Sequence, residues 1–140
     1  MQFGGVNWLA VLIAAVAGFG VGALWYSAFA KRWMAANGLT EDTRKGGGGL
    51  RGAIPFMLAA LANVLMAIAF AGILGHLGAG QTTLRNALIS AVVLWLAFIL
   101  STIMVNYSFA QRPSVLIAID GGHWLAVLLV MGVIIGAMGA

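Results

Sequence analysis

Cysteine is absent from this chain of 140 residues, which excludes disulfides and thiolate chemistry outright. Charge is almost as scarce: seven basic and three acidic side chains stand against 63% hydrophobic residues. A soluble domain normally draws roughly a quarter of its residues from the charged types. Ten charges cannot solvate this chain, whereas a bilayer accepts the apolar outside of every helix. The mean hydropathy of +1.06 agrees. A net charge of +4 could suggest a nucleic-acid partner. The basic residues, however, fall in loops between apolar runs, the pattern of a membrane topology signal, so no nucleic acid is expected.

Four apolar runs exceed the roughly 18 residues that a membrane-spanning helix requires. They predict helices at about 6–29, 53–77, 84–107 and 115–138, joined by short connections except for the loop at about 30–52. Only the third contains a basic residue, Arg85 at its very start, and only the last contains an acid, Asp120. The expected fold is therefore all-α, an integral membrane bundle of four transmembrane helices in a single membrane domain. Start signals agree with these limits. Asn7 is an N-cap candidate, Pro55 suits a first helical turn, Thr82 or Thr83 can cap the third run, and Pro113-Ser114 opens the fourth. The first helix is expected to run past the membrane, with Lys31 and Arg32 snorkelling, Trp33 at the interface, and Gly38 as C-cap after Asn37. Gly46 to Gly49 form a tract too flexible to pack by itself. A cleaved signal peptide is the competing reading of the first run, since Ala28-Phe29-Ala30 looks like a cleavage site. The run is too long and Met1-Gln2-Phe3 carries no positive charge, so an uncleaved span is expected.

Orientation follows from the basic residues. Lys31, Arg32, Arg44, Lys45 and Arg51 lie in the first loop and Arg112 in the third, with only Arg85 on the other side. Positive-inside places the long loop in the cytoplasm and both termini outside the inner membrane.

Small residues recur every four positions on three of the runs. Ala10, Ala14, Gly18 and Gly22 form one ridge; Ala59, Asn63, Ala67, Ala71 and Gly75 a second; Gly132 and Gly136 a third. Such ridges let backbones approach closely, either within the bundle or between copies. Three of them are more than one small bundle obviously needs, which points to a homo-oligomer or to partner membrane subunits. An internal echo is also present, Tyr26-Ser27-Ala28-Phe29-Ala30-Lys31-Arg32 against Tyr107-Ser108-Phe109-Ala110-Gln111-Arg112. It fits a parallel repeat of two hairpins. Aromatic belts and positive-inside would alone put Tyr and Arg at both helix ends.

The candidate chemistry lies in the polar residues at membrane depth. Asp120 and His123 share a helix face at i, i+3 spacing. An intramembrane carboxylate is costly and points to function or to a specific partner. Gly121 and Gly122 between them weaken the helix and let a backbone, a water or a ligand approach. Trp25, Tyr26, Asn106 and Tyr107 lie towards the same side, with Asn63 nearer the midplane, so the set could converge on one polar pocket. The alternative puts Asp120 at the membrane interface. Two ligands are too few for a zinc site, and His76 is placed too far away to help. The Gly-rich loop has no Gly-Lys-Ser/Thr ending, and the serines and threonines more naturally bond helix backbone. Neither metal nor cofactor is expected, and catalysis is disfavoured.

Asn7-Trp8-Leu9-Ala10, Gly22-Ala23-Leu24-Trp25-Tyr26-Ser27, Lys31-Arg32-Trp33 and Asp120-Gly121-Gly122-His123 together resemble the domain of unknown function 1761 family, small prokaryotic membrane proteins with no assigned activity. Members tend to have Pro after Trp-Tyr-Ser, where this chain has Ala28. The resemblance covers nearly the whole chain, implies four helices, and draws attention to Trp25, Tyr26, Asp120 and His123. It supplies no function. Two readings therefore lead: a small transporter or channel with a proton- or ion-linked Asp/His site, and a non-catalytic accessory subunit of a larger membrane complex. A membrane enzyme ranks below both.

Overall fold

A computed structural model describes residues 5–40 and 50–139, the side chains of Leu50 and Arg51 apart. Arg44, Lys45 and the Gly46–Gly49 tract lie outside the described residues. Among those described, all regular structure is helical: α1 (Trp8–Ala36), α2 (Leu50–Gly75), α3 (Leu84–Leu94), a π-helical turn (Trp95–Leu100), α4 (Ser101–Phe109) and α5 (Ser114–Met138). α3, the π turn and α4 follow one another without a break and form a third span, Leu84–Phe109. With α1, α2 and α5 this makes four helices, each long and apolar enough to cross a membrane. The chain is thus an all-helical multi-pass membrane bundle.

Local chemistry sets the ends. Asn7 caps α1, its Oδ1 accepting from the Ala10 N–H at 3.1 Å, while its Nδ2 donates to the Met138 carbonyl and ties the start of α1 to the end of α5. At the other end Gly38 takes φ +66°, and the Leu39 N–H closes back on the Met34 carbonyl at 2.9 Å. At 29 residues α1 is about 44 Å long, well beyond a hydrocarbon core of about 30 Å. Thr83, the second of the two caps considered, caps α3 by accepting from the Asn86 N–H. Pro55 lies in the second turn of α2, because that helix begins earlier than its apolar run, at Leu50.

α5 is the centre of the molecule. It packs along α1 on one side and along α3 on the other, while α2 lies mainly against α1. The core is built from small and medium side chains, including Ala14, Ala67, Phe70, Leu74, Ala87, Ala91, Met131 and Ile135. The three small-residue ridges pack mainly inside this one chain, with Gly75 at the end of the second left exposed. A Cβ on Gly18 would run into Asn63 of α2 and Met131 of α5. A Cβ on Gly136 would stand 2.8 Å from the Leu84 backbone, and one on Gly132 would stand 3.3 Å from the Ala87 carbonyl. The third span is covered least: only 6% of its apolar window is buried. Between it and α2 runs an apolar cleft lined by Met66, Phe70, Ile73, Phe98, Ile99 and Leu128.

The π turn has a geometric consequence. Trp95 and Tyr107 are twelve residues apart, which on an α-helix at about 100° per residue sets them roughly 120° apart. A π turn absorbs one extra residue, reducing the offset to roughly 20°. Both side chains therefore reach α5 from one span.

Candidate functional site

Asp120 stands six residues into α5 from Ser114, about 9 Å along its axis at about 1.5 Å per residue. Its side chain is 8% exposed, so the carboxylate faces the interior of the bundle. Three donors converge on the carboxylate. Oδ1 accepts from the Tyr26 hydroxyl at 2.7 Å and from Trp33 Nε1 at 3.0 Å; Oδ2 accepts from the Tyr107 hydroxyl at 2.7 Å. Tyr26 and Trp33 are seven residues apart on α1, two turns, and so share a face; their rings meet edge-on at 5.8 Å. The two tyrosines of the internal echo are thus two arms on one carboxylate, one on each oxygen. No cation forms an ion pair with Asp120 among the described residues. The acid is solvated wholly by neutral donors, as an acceptor-only carboxylate can be.

Two indoles brace the helix around it. Trp25 Nε1 donates to the Ile119 carbonyl at 2.9 Å and Trp95 Nε1 to the Gly121 carbonyl at 2.7 Å. Each uses the second lone pair of a carbonyl within the helical ladder. Gly122 admits the Trp25 ring, since a Cβ there would lie 2.9 Å from it, and Gly121 faces Leu100. The two glycines therefore give room to side chains, and α5 continues unbroken through them, contrary to the expectation of weakened helix geometry at that point.

His123 is buried at 6% exposure, yet it does not share the hydrogen bonds of Asp120. Its Nδ1 is enclosed without a partner, and its Nε2 faces Gly22, where a Cβ would stand 3.1 Å away. Its ring packs on Tyr26 at 4.9 Å and on Trp124 at 4.6 Å. The i, i+3 spacing puts the two residues on one face but does not pair them directly. Asn63, 3% exposed, lies at Gly18, one turn of α1 further along. Its Nδ2 donates to the Ala59 carbonyl at 2.9 Å and its Oδ1 has no hydrogen-bond partner, resting instead against the bare Cα of Gly18. Gly18 and Gly22 thus make room for two polar side chains, Asn63 and His123. Asn106 is exposed and takes no part in the cluster. His76 is exposed at the opposite end of the bundle.

The basic end of the cluster is closed by residues that the sequence did not single out as a site. Asn37 Nδ2 donates to the Trp33 carbonyl at 2.8 Å, and its Oδ1 accepts from Arg112. The Arg112 guanidinium stands over the Tyr107 ring, 5.9 Å from its centroid. Trp33 reads from sequence as a belt residue; only the length of α1, which carries it two turns past Tyr26, hints that it faces α5.

A four-span helical bundle whose one membrane-depth acid is held by aromatic donors from two other spans defines the class of protein. The family described as a protein of unknown function (DUF1761) matches residues 9–136, and the chain belongs to it. No curated protein and no solved structure matches the chain.

Proposed function

We propose that this protein is a small transporter or channel of the inner membrane whose Asp120 is a proton- or cation-binding site. The observation that carries the reading is a carboxylate buried within an apolar span and satisfied, among the described residues, only by neutral donors from two other spans. Such an acid costs several kcal/mol to hold in hydrocarbon, about 2.5–3.5 even on insertion scales. Neutral donors, unlike an Arg or Lys in direct contact with the oxygens, leave the carboxylate itself open to a mobile proton or cation. His123, with an enclosed and unpartnered nitrogen a turn away, offers a second acceptor beside it. No enzymatic role is proposed. Positive-inside orients the basic end, and with it Asp120, towards the cytoplasm and both termini outward.

The test is proton flux into proteoliposomes under an imposed pH gradient, read with an entrapped dye. Wild-type protein should admit protons faster than empty vesicles, and Asp120→Asn should return the rate to the empty-vesicle value while keeping its helical content. Wild-type vesicles no leakier than empty ones, or full flux in the variant, would sink the transport reading.

One observation favours a second reading, an accessory subunit that docks on larger membrane partners or on copies of itself. The third span leaves Leu96, Phe98, Met104, Val105 and Phe109 uncovered, the last 88% exposed. Foreign subunits co-purifying in fixed ratio would support that reading.

A further inference from the structure

We propose that Arg112 is the counter-ion of Asp120, acting through the ring of Tyr107, and that Asn37 holds it there and off the carboxylate. The inference deepens the reading of Asp120 as a binding site, since it names what balances the charge when no proton or cation is bound. The geometry forms a closed circuit. Tyr107 donates to Asp120 Oδ2 while Arg112 lies over the Tyr107 ring. Arg112 donates to Asn37, Asn37 donates to the Trp33 carbonyl, and Trp33 donates to Asp120 Oδ1. A cation over an aromatic face is attracted by the ring quadrupole. It also polarises the ring, so the hydroxyl at its edge becomes a stronger donor to the carboxylate.

Backbone geometry supports a specific placement of Arg112. The turn between α4 and α5 puts Gln111 at φ +55°, a left-handed conformation unusual for a residue other than glycine. The Arg112 N–H then closes on the Tyr107 carbonyl at 2.9 Å, and Pro113 starts α5 immediately afterwards. Such an outlier persists where its surroundings over-determine it. Here it sets the arginine above the same tyrosine whose hydroxyl holds Asp120. Among the described residues, the other groups facing the carboxylate come from three helices. α1 contributes Tyr26 and Trp33, α4 contributes Tyr107, and α5 contributes His123. Asn63, the buried polar side chain of α2, carries no charge; Lys31, Arg32 and Arg112 are all exposed, and of these Arg112 stands over a ring whose hydroxyl donates to the carboxylate. Among the described residues, Arg112 is therefore the cation best placed to act on the site.

The test uses a hydrophobic carbodiimide, which adds only to a protonated carboxyl, on the full chain in lipid nanodiscs at neutral pH. Peptide mass spectrometry separates Asp120 from Glu41 and Asp42, the other two acids. Arg112→Gln should label at Asp120 severalfold faster than wild type, because the ionised form has lost its counter-ion. Asn37→Ala should label more slowly, because the freed guanidinium can pair with the carboxylate directly. Arg112→Lys, which keeps a cation, should label at a rate closer to wild type than Arg112→Gln. A variant that merely loosened the site would label faster in every case, so opposite signs are the signature of a counter-ion. Unchanged labelling in Arg112→Gln overturns the counter-ion role, and faster labelling in both Arg112→Gln and Asn37→Ala overturns the holding role of Asn37. Because no gradient is applied, these outcomes are independent of whether Asp120→Asn abolishes proton flux.

Discussion

At the scale of single residues, the molecule depends on how one carboxylate is kept buried inside an apolar helix bundle. A hydrogen bond to a charged acceptor contributes about 1.5–3 kcal/mol, and Asp120 has three within 3.0 Å. The two hydroxyl donors are not equivalent. Tyr26 also packs on the rings of His123 and Trp33, whereas Tyr107 carries Arg112 on its face. Tyr26→Phe and Tyr107→Phe keep the rings and remove only the hydroxyls, so each should lower stability by about 1.5–3 kcal/mol, as measured by denaturation in mild detergent. If neither change moves the transition, something other than these hydroxyls solvates the acid. Trp33→Phe removes an N–H that can only donate, so no rotation of the remaining partner can replace it.

Helices in this bundle meet through polar side chains set into glycine faces as well as through apolar packing. Gly18 and Gly22 face Asn63 and His123, so the GxxxG of α1 serves the interior of one chain. Gly18→Leu should destabilise the fold far more than Ala17→Leu, since position 18 meets Asn63, Met131 and Val127 while Ala17 lies at the rim of the contact. Thermal melts of the two variants in one detergent check this; equal melting would place the glycine face towards lipid. The third span works differently. It contributes Trp95 and Tyr107 to α5 through a π turn and leaves most of its remaining surface uncovered.

For the whole molecule, the asymmetry of charge is the strongest signal. Six of the seven basic residues fall between the first and second or between the third and fourth apolar runs of the sequence, and Arg85 alone follows the second connection. Cysteines placed at Gly47 and Gly80 of this cysteine-free chain should react with a membrane-impermeant maleimide from opposite faces of intact cells, Gly80 from outside. Gly47 lies outside the described residues, so the experiment reads topology alone. Labelling of Gly47 from outside would reverse the orientation, and equal labelling at both positions would mean that two orientations coexist.

Much of this was legible in the sequence, for physical reasons. Lipid demands about 18 or more apolar residues per span, so four helices and their limits follow from hydropathy and caps to within a few residues, the run of α1 past its apolar stretch to a cap at Asn37 and Gly38 included. The cost of a buried charge singles out Asp120, and helical spacing puts His123 on its face. What it faces was decided by tertiary structure. Trp95 aligns with Tyr107 only because a π turn absorbs a residue, which no α-helical periodicity foretells. Asn106 reads like its neighbour Tyr107 yet points away, because one residue is about 100° around a helix. The glycine ridges read equally well as oligomer contacts, and only the placement of Asn63 and His123 against Gly18 and Gly22 turns them inward. Periodicity identifies a residue's face on its own helix; which partner that face meets depends on how the four helices pack, and that is a property of the whole chain.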